Sequence, residues 1–178
     1  MTRETTVTIE VSEVTHEQVV RVEGSLVAQG MRFGLICSRF NEFITSSLLQ
    51  GAKDALSRLG VANSEILEIM VPGALEIPQA ARALARTGYC DAIIALGAVI
   101  RGDTAHFDVV VNQSASGLSA VESEYAIVVT NAILTTDTIE QAIDRSGAKA
   151  GNKGYEAAMV AVEMVDLFRK IRAYGKGD

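Results

Sequence analysis

The feature that most limits the possible folds is a regular alternation of two kinds of segment. From Met31 onward, short apolar runs alternate with longer segments whose apolar residues recur at helical spacing. Strands are predicted at 31–37, 66–71, 92–100 and 125–134, and helices at 43–59, 75–85, 107–123, 136–145 and 153–173. Because parallel strands are joined by right-handed helical crossovers, this order predicts a four-stranded parallel sheet between two layers of helices.

Composition is consistent with a single α/β domain and argues against two classes of protein. The 178 residues are 48% hydrophobic with few aromatics, as expected for a sheet covered on both faces or for surfaces between subunits. The net charge of −6 argues against nucleic-acid binding, and no apolar run approaches the roughly 20 residues of a membrane helix. Cys37 and Cys90 lie in apolar contexts, so we predict buried free thiols in a cytoplasmic protein.

The first residues differ in composition from the rest of the chain. Residues 1–22 are acidic and rich in Thr and Val, and they contain no apolar signal segment. We predict a separate N-terminal arm, in part without fixed structure, ahead of one domain at 23–178. Within the arm, Val7, Ile9 and Val11 alternate with polar residues in the manner of a strand.

Polar and glycine-rich stretches follow each of the predicted strands. In open parallel sheets, ligands bind beyond the carboxyl ends of the strands. The stretches that fall there are Arg39–Asn41, Gly73–Glu76, Arg101–His106 and Asn131–Thr136. The pattern therefore predicts one binding site at this rim of the sheet.

The segment Leu96–Phe107 carries the most specific chemistry. It leads from an apolar strand through Arg-Gly-Asp-Thr into a helix start, where free amides and the helix dipole favour an anion. His106 is either a proton carrier or a surface histidine without a role. Asp103 is predicted to cap the helix. The spacing of Asp103, His106 and Asp108 fits no standard metal site, and we predict no metal.

Two further turns hold candidates that each have a plain alternative. Phe40 can stack on a flat ligand with Asn41 as a polar partner, or it can pack over the end of the sheet. Glu76 can bind a ligand, or it can simply favour the helix N-terminus. The stretch Gly147–Gly154 lacks the spacing and the Ser or Thr of a P-loop, so we predict a flexible link between helices.

Five motifs in order and register resemble the lumazine synthase family over residues 23–172. The motifs are Arg39-Phe40-Asn41-Glu42-Phe43-Ile44, Gly73-Ala74-x-Glu76-Ile77-Pro78, Gly97-Ala98-Val99-Ile100-Arg101-Gly102-x-Thr104-x-His106-Phe107, Leu134-Thr135-Thr136 and Gly151-Asn152-Lys153-Gly154. The resemblance implies a three-layer α/β/α fold with a central four-stranded parallel, flavodoxin-like sheet. It also implies that an N-terminal strand, at 19–27, pairs with a neighbouring subunit.

The resemblance also implies a reaction that needs no cofactor. The family condenses 5-amino-6-(D-ribitylamino)uracil with 3,4-dihydroxy-2-butanone 4-phosphate to 6,7-dimethyl-8-ribityllumazine in riboflavin biosynthesis. By resemblance, Phe40 stacks on the ring, the 102–104 turn holds the phosphate with Arg145, and His106 moves protons. The implied substrate-binding residues are Phe40, Asn41, Ala74, Leu75, Glu76, Val99, Ile100, Gly102, Asp103, Thr104, Asn131, Arg145 and Lys153.

The resemblance also implies an oligomeric assembly, and two positions depart from the family pattern. Family members form pentamers with the site between neighbours, one supplying His106 and the other Arg145 and Lys153. Pentamers often close into an icosahedral 60-mer, and riboflavin synthase is a further partner. Leu75 and Asn131 stand where the family usually has aromatics. These two residues support a second hypothesis, a flavin- or lumazine-binding shell protein with little catalysis. A flavodoxin-like signalling domain is a third hypothesis, weakened because no acidic cluster follows the first strand.

Overall fold

The computed structural model describes residues 19–174, so the predicted strand at Val7, Ile9 and Val11 lies outside it. The strands are β1 (Phe33–Ser38), β2 (Ile66–Val71), β3 (Ala92–Ile100), β4 (Val128–Thr136), β5 (Ser146–Ala148) and β6 (Gly151–Asn152). The helices are α1 (Glu42–Arg58), α2 (Ile77–Thr87), α3 (His106–Tyr125), α4 (Ile139–Arg145) and α5 (Lys153–Tyr174). Among these helices, none combines the length and apolarity that crossing a bilayer requires.

The main sheet confirms the predicted three-layer architecture. Its order is β2-β1-β3-β4, and every pairing is parallel. Helices α1 and α5 cover one face, where Leu48 and Val162 are fully buried. Helices α2 and α3 cover the other face, where Ile77 and Val121 are fully buried. Because β1 and β3 lie in the middle, their side chains are buried on both faces, which explains the continuous apolar runs in the sequence.

Helix α2 begins later than predicted. A single 3-10 turn at Ala74–Glu76 comes first, and the α-helix starts at Ile77 rather than Leu75. Pro78 explains this boundary, because a residue without a backbone N–H is tolerated in the first turn of a helix and not further in. The delayed start leaves the 3-10 turn at the rim of the sheet.

The predicted bounds of the fourth strand and the following helix are also wrong. Helix α3 continues to Tyr125, the chain reverses at Ala126 with φ 49°, and β4 then runs on to Thr136. Helix α4 therefore starts at Ile139, where the Thr138 hydroxyl accepts a hydrogen bond from the Gln141 N–H. As a result, Asn131 lies in the middle of an edge strand and not at its carboxyl end.

The predicted flexible link between α4 and α5 is an ordered hairpin. β5 and β6 pair antiparallel, and the Asn152 side chain joins the hairpin to two helices. Its Nδ2 donates to the carbonyls of Ser47 at 2.8 Å and Ser146 at 3.0 Å, and its Oδ1 accepts from the N–H groups of Gly154 and Tyr155. This one amide caps α5 and fixes the position of its first residue.

The chain ahead of β1 is attached to α5. Residues 19–24 form no strand within this single chain, and Val19 is 94% exposed. The N–H and hydroxyl of Ser25 both donate to the Asp166 carboxylate at 2.7 Å. Hydrogen bonds from Lys170 and then Ser25 lower the pKa of Asp166 to about 2. The attachment depends on an ionised carboxylate.

Both cysteines are buried and free, as predicted. Burial raises the pKa of the Cys37 thiol above its ordinary value. Burial, with a smaller contribution from the charge of Asp91, raises the pKa of Cys90 to about 11. Neither group is therefore a thiolate near neutral pH, which fits a packing role.

Candidate functional site

A cavity of about 360 Å³ opens at the carboxyl rim of the sheet. Three of the predicted stretches meet there: the turns after β1 and β2 and the turn from β3 into α3. Its lining consists of Phe40, Gly73, Ala74, Leu75, Glu76, Ala98, Val99, Ile100, Gly102, Thr104, His106, Phe107 and Val110. The walls are largely apolar with a few polar groups, a combination typical of a site for a small molecule.

The turn after β1 presents Phe40 to this cavity. The Arg39 N–H donates to the Val71 carbonyl at 2.8 Å, and the Phe40 N–H donates to the Pro72 carbonyl at 3.1 Å. Phe40 is 72% exposed, which favours stacking over packing across the sheet end. A free aromatic face on a fixed backbone is suited to stacking.

Asn41 holds the next position of this turn in a left-handed conformation. Its φ and ψ are 60° and 45°, a region that Asn tolerates better than most residues. Its Nδ2 donates to the carbonyl of Ala98 at 2.9 Å, and Ala98 itself lines the cavity. Asn41 therefore ties the Phe40 turn to the end of β3.

The turn after β2 places a carboxylate, that of Glu76, in the lining of the cavity. Glu76 precedes the first residue of α2 and makes no side-chain capping bond there. A Cβ added to Gly73 would lie 3.1 Å from Glu76 Oε2, so the absence of a side chain at Gly73 leaves room for this carboxylate. Leu75 lines the same cavity, and Ala74 is buried in its wall.

The turn from β3 to α3 differs from the prediction in its cap. Residues 102–106 are all exposed, and the residue before α3 is Ala105, not Asp103. The Thr104 hydroxyl accepts from the His106 N–H at 3.4 Å, and the described contacts give Asp103 no capping bond. Asp103 also lies outside the cavity lining, whereas Gly102, Thr104 and His106 belong to it.

Three predicted site residues lie elsewhere, in a second cavity of about 570 Å³. It is formed along the open edge of β4 and includes Asn131, Arg145 and Lys153. The Asn131 Oδ1 accepts from the Ile133 N–H at 2.9 Å, and an Arg145 nitrogen donates to the Gln141 carbonyl at 2.9 Å. Lys153 pairs with Glu156 at 2.6 Å. Within one chain, these cations and the turn from β3 to α3 line different cavities.

Some lining residues were not among the predicted site residues. Phe107 and Val110 line the first cavity, and Glu156 and Val160 line the second. Helical spacing could have indicated Val110, because it lies one turn after His106 on the same helix face. In residues 19–174, no group of three or more His, Cys, Asp or Glu side chains is arranged to hold a metal ion.

Fold and cavity together define the class: a flavodoxin-like α/β domain with a largely apolar cavity at the carboxyl rim of its sheet. The family model described as 6,7-dimethyl-8-ribityllumazine synthase matches residues 30–169. A relative from Chlorobium phaeobacteroides, named 6,7-dimethyl-8-ribityllumazine synthase, is 49% identical over 153 residues, which are 86% of this chain and 99% of the relative. The chain belongs to the 6,7-dimethyl-8-ribityllumazine synthase family.

Proposed function

We propose that the chain is a transferase of riboflavin biosynthesis. It condenses 5-amino-6-(D-ribitylamino)uracil with 3,4-dihydroxy-2-butanone 4-phosphate to 6,7-dimethyl-8-ribityllumazine, with release of phosphate and water. The observation that carries this proposal is the first cavity, where an exposed aromatic ring, the turn that leads into α3 and an imidazole line one apolar slot. Mixing the two substrates and following lumazine absorbance and fluorescence tests it, and absence of product would contradict it.

Residues in and beside the first cavity each have a task in this reaction. Phe40 stacks on the pyrimidine ring, and Asn41, Ala74 and Glu76 hold its edge and ribityl chain. The backbone at Val99 and Ile100 faces the heterocycle.

The β3–α3 turn serves the second substrate. Gly102, Asp103 and Thr104 surround the phosphate, and His106 shuttles protons during imine formation and phosphate elimination. Because the bond-forming steps are feasible in water, much of the acceleration comes from holding both substrates together.

We further propose that each complete site is shared by two protomers of a homopentamer. Arg145, Lys153 and Asn131 line the second cavity of this chain, away from its own phosphate turn. Packing the β4 edge of one protomer against the first cavity of the next brings these cations to the phosphate. The 19–27 stretch, which includes the exposed Val19 and Val20, adds a strand to a neighbour, where β2 is an edge strand.

Mixing two impaired variants tests the shared site. Protomers with His106→Ala and protomers with Arg145→Ala each lack one half, but a mixed ring contains some sites with both native residues. Random mixing in equal amounts restores about a quarter of the sites. No recovery in confirmed mixed rings would overturn the shared site. Light scattering and electron microscopy then separate a pentamer from a decamer or an icosahedral 60-mer.

Leu75 gives the second candidate function its support. It lines the cavity as an aliphatic wall, so a bound ring stacks on Phe40 from one side only. A flavin- or lumazine-binding shell protein with little catalysis would bind the product and fail the turnover assay. We place the protein in the cytoplasm because its thiols are buried and unpaired, with riboflavin synthase as a further partner.

A further inference from the structure

The proposed phosphate turn has little support from its own backbone. Residues 102–105 are exposed, and the Thr104 hydroxyl accepts only one hydrogen bond, from His106 at 3.4 Å. Apart from the helix, the backbone bonds of this region are Arg101 N–H to the Thr136 carbonyl at 2.9 Å and Asp108 N–H to the Ala105 carbonyl at 3.2 Å. A turn that binds an anion needs fixed amides, so another group must hold this one in place.

The Arg101 side chain makes contacts on both sides of the turn. Its Nε bonds to Asp137 Oδ1 at 2.9 Å, in the loop after β4. Its guanidinium lies 4.0 Å from the ring centroid of Phe107 and contacts Asp108 at 3.5 Å, both in the first turn of α3. One planar fork thus joins the end of β3, the loop after β4 and the start of α3.

Arg101 does this without lining the cavity. Its two neighbours Ile100 and Gly102 belong to the lining, as does Phe107, but Arg101 does not. The guanidinium therefore packs on Phe107, which forms a wall of the cavity, and balances the charge of Asp108 and Asp137 beside the turn. Without that balance, two carboxylates beside the phosphate seat would repel an anion.

We propose that Arg101 is a positioning residue that holds the phosphate-binding turn and His106 in register. This inference rests on the proposed function, because it assigns the turn to the phosphorylated substrate. The guanidinium acts through its geometry, stacking on Phe107 and bridging Asp137 to Asp108, and does not touch the substrate.

Steady-state kinetics of the assembled enzyme with Arg101→Gln and Arg101→Lys test this role. Loss of the stacking and the ion pairs in Arg101→Gln raises KM for the butanone phosphate about tenfold. KM for the ribitylaminouracil stays within about twofold of the wild-type value. Arg101→Lys recovers only part of the loss, because an ammonium keeps the charge but not the fork. The inhibition constant of inorganic phosphate rises in parallel.

The control is Arg58→Gln, which removes another exposed arginine paired with an aspartate, on α1 and outside both cavities. It leaves both KM values unchanged. Equal rises in both KM values for Arg101→Gln, no rise at all, or complete rescue by lysine would each overturn the positioning role. A wild-type protein that forms no lumazine counts instead against the proposed function, so the two failures are distinct.

Discussion

The two ends of the parallel sheet differ in how far the groups described below are bonded or exposed. At the amino end, Asp91 accepts from the Arg32 N–H at 2.8 Å and from Arg169 at 3.1 Å, and Arg169 also reaches the Gly30 carbonyl. At the carboxyl end, the 102–106 turn and Phe40 are exposed beside an open cavity. The Asp91 cluster at the amino end satisfies its own groups and stabilises the fold, whereas Phe40 and the 102–106 turn at the carboxyl end leave theirs accessible.

This contrast has a consequence for mutations. Groups that bond to each other contribute to stability, and their loss leaves partners unsatisfied. Groups that face an open cavity contribute little to stability, and their loss is felt in binding and turnover. Four substitutions test this separation, and we give them from the largest expected effect to the smallest.

Gly154→Ala is expected to have the largest effect. It lowers stability although the residue lies beside the proposed site residue Lys153. Gly154 lies near Lys153, but an added Cβ would approach the Leu48 carbonyl oxygen to 2.0 Å. We expect urea unfolding to show a loss of about 3 kcal/mol, since α5 must move away from α1. The control is Gly102→Ala, whose Cβ meets nothing within 4 Å and which should keep wild-type stability. A stable Gly154→Ala variant would mean that the helices separate at little cost.

His106→Ala comes second and should affect only the chemistry. The residue is exposed, so the unfolding midpoint should stay unchanged. We expect kcat to fall about a hundredfold, as for the loss of a general acid–base group, while turnover remains measurable. Activity that disappears entirely in a correctly assembled variant would show that catalysis depends on more than holding the substrates together.

Phe40→Ala tests whether Phe40 stacks on a ligand or is only an exposed aromatic residue. We expect the affinity for 6,7-dimethyl-8-ribityllumazine, measured by fluorescence titration, to fall about tenfold. Phe43→Ala is the matched control: Phe43 is 74% exposed, three residues further on, and outside the cavity lining. Equal losses in the two variants would point to a general effect of exposed aromatics and against a stacking site.

Asp166→Asn should have the smallest effect, confined to stability and dependent on pH. The pKa of Asp166 is lowered from 3.8 to about 2, so its ionised form stabilises the folded state fully above about pH 4. That stabilisation is lost as the pH falls from 3.8 towards 2. We therefore expect wild type to exceed Asp166→Asn in unfolding midpoint at pH 7 and 5, and the difference to shrink at pH 3.

Asp54→Asn is the control for this last prediction, because Asp54 also pairs with a cation four residues away on a helix. A difference between wild type and Asp166→Asn that grew on acidification would contradict the sign of the shift. Turnover at neutral pH should be the same in all three proteins, since both carboxylates lie outside both cavities.

Local patterns in the sequence were sufficient for the architecture and failed at particular boundaries. The apolar run at 92–100 predicted β3 to the residue, because a buried strand needs continuous apolar side chains. The end of α3 was missed because the sequence at Tyr125 and Ala126 is equally compatible with a strand, whereas in the fold Tyr125 ends the helix and packs against the apolar cluster on the α2–α3 face of the sheet. The hairpin after α4 was missed because Asn152 stabilises it through contacts with Ser47, distant in sequence.

For the candidate site too, some features could be predicted from the sequence and others depended on the tertiary structure. Alternation of strands and helices, with the motifs at their junctions, determined the fold class and most of the cavity lining, because parallel strands bring their carboxyl ends to one rim. Only the tertiary structure decided that Asn131, Arg145 and Lys153 line a different cavity, and that Arg101 bridges Asp137 and Phe107 instead of lining the first cavity. The direction of a side chain depends on contacts between distant elements, and periodicity along one segment does not contain them.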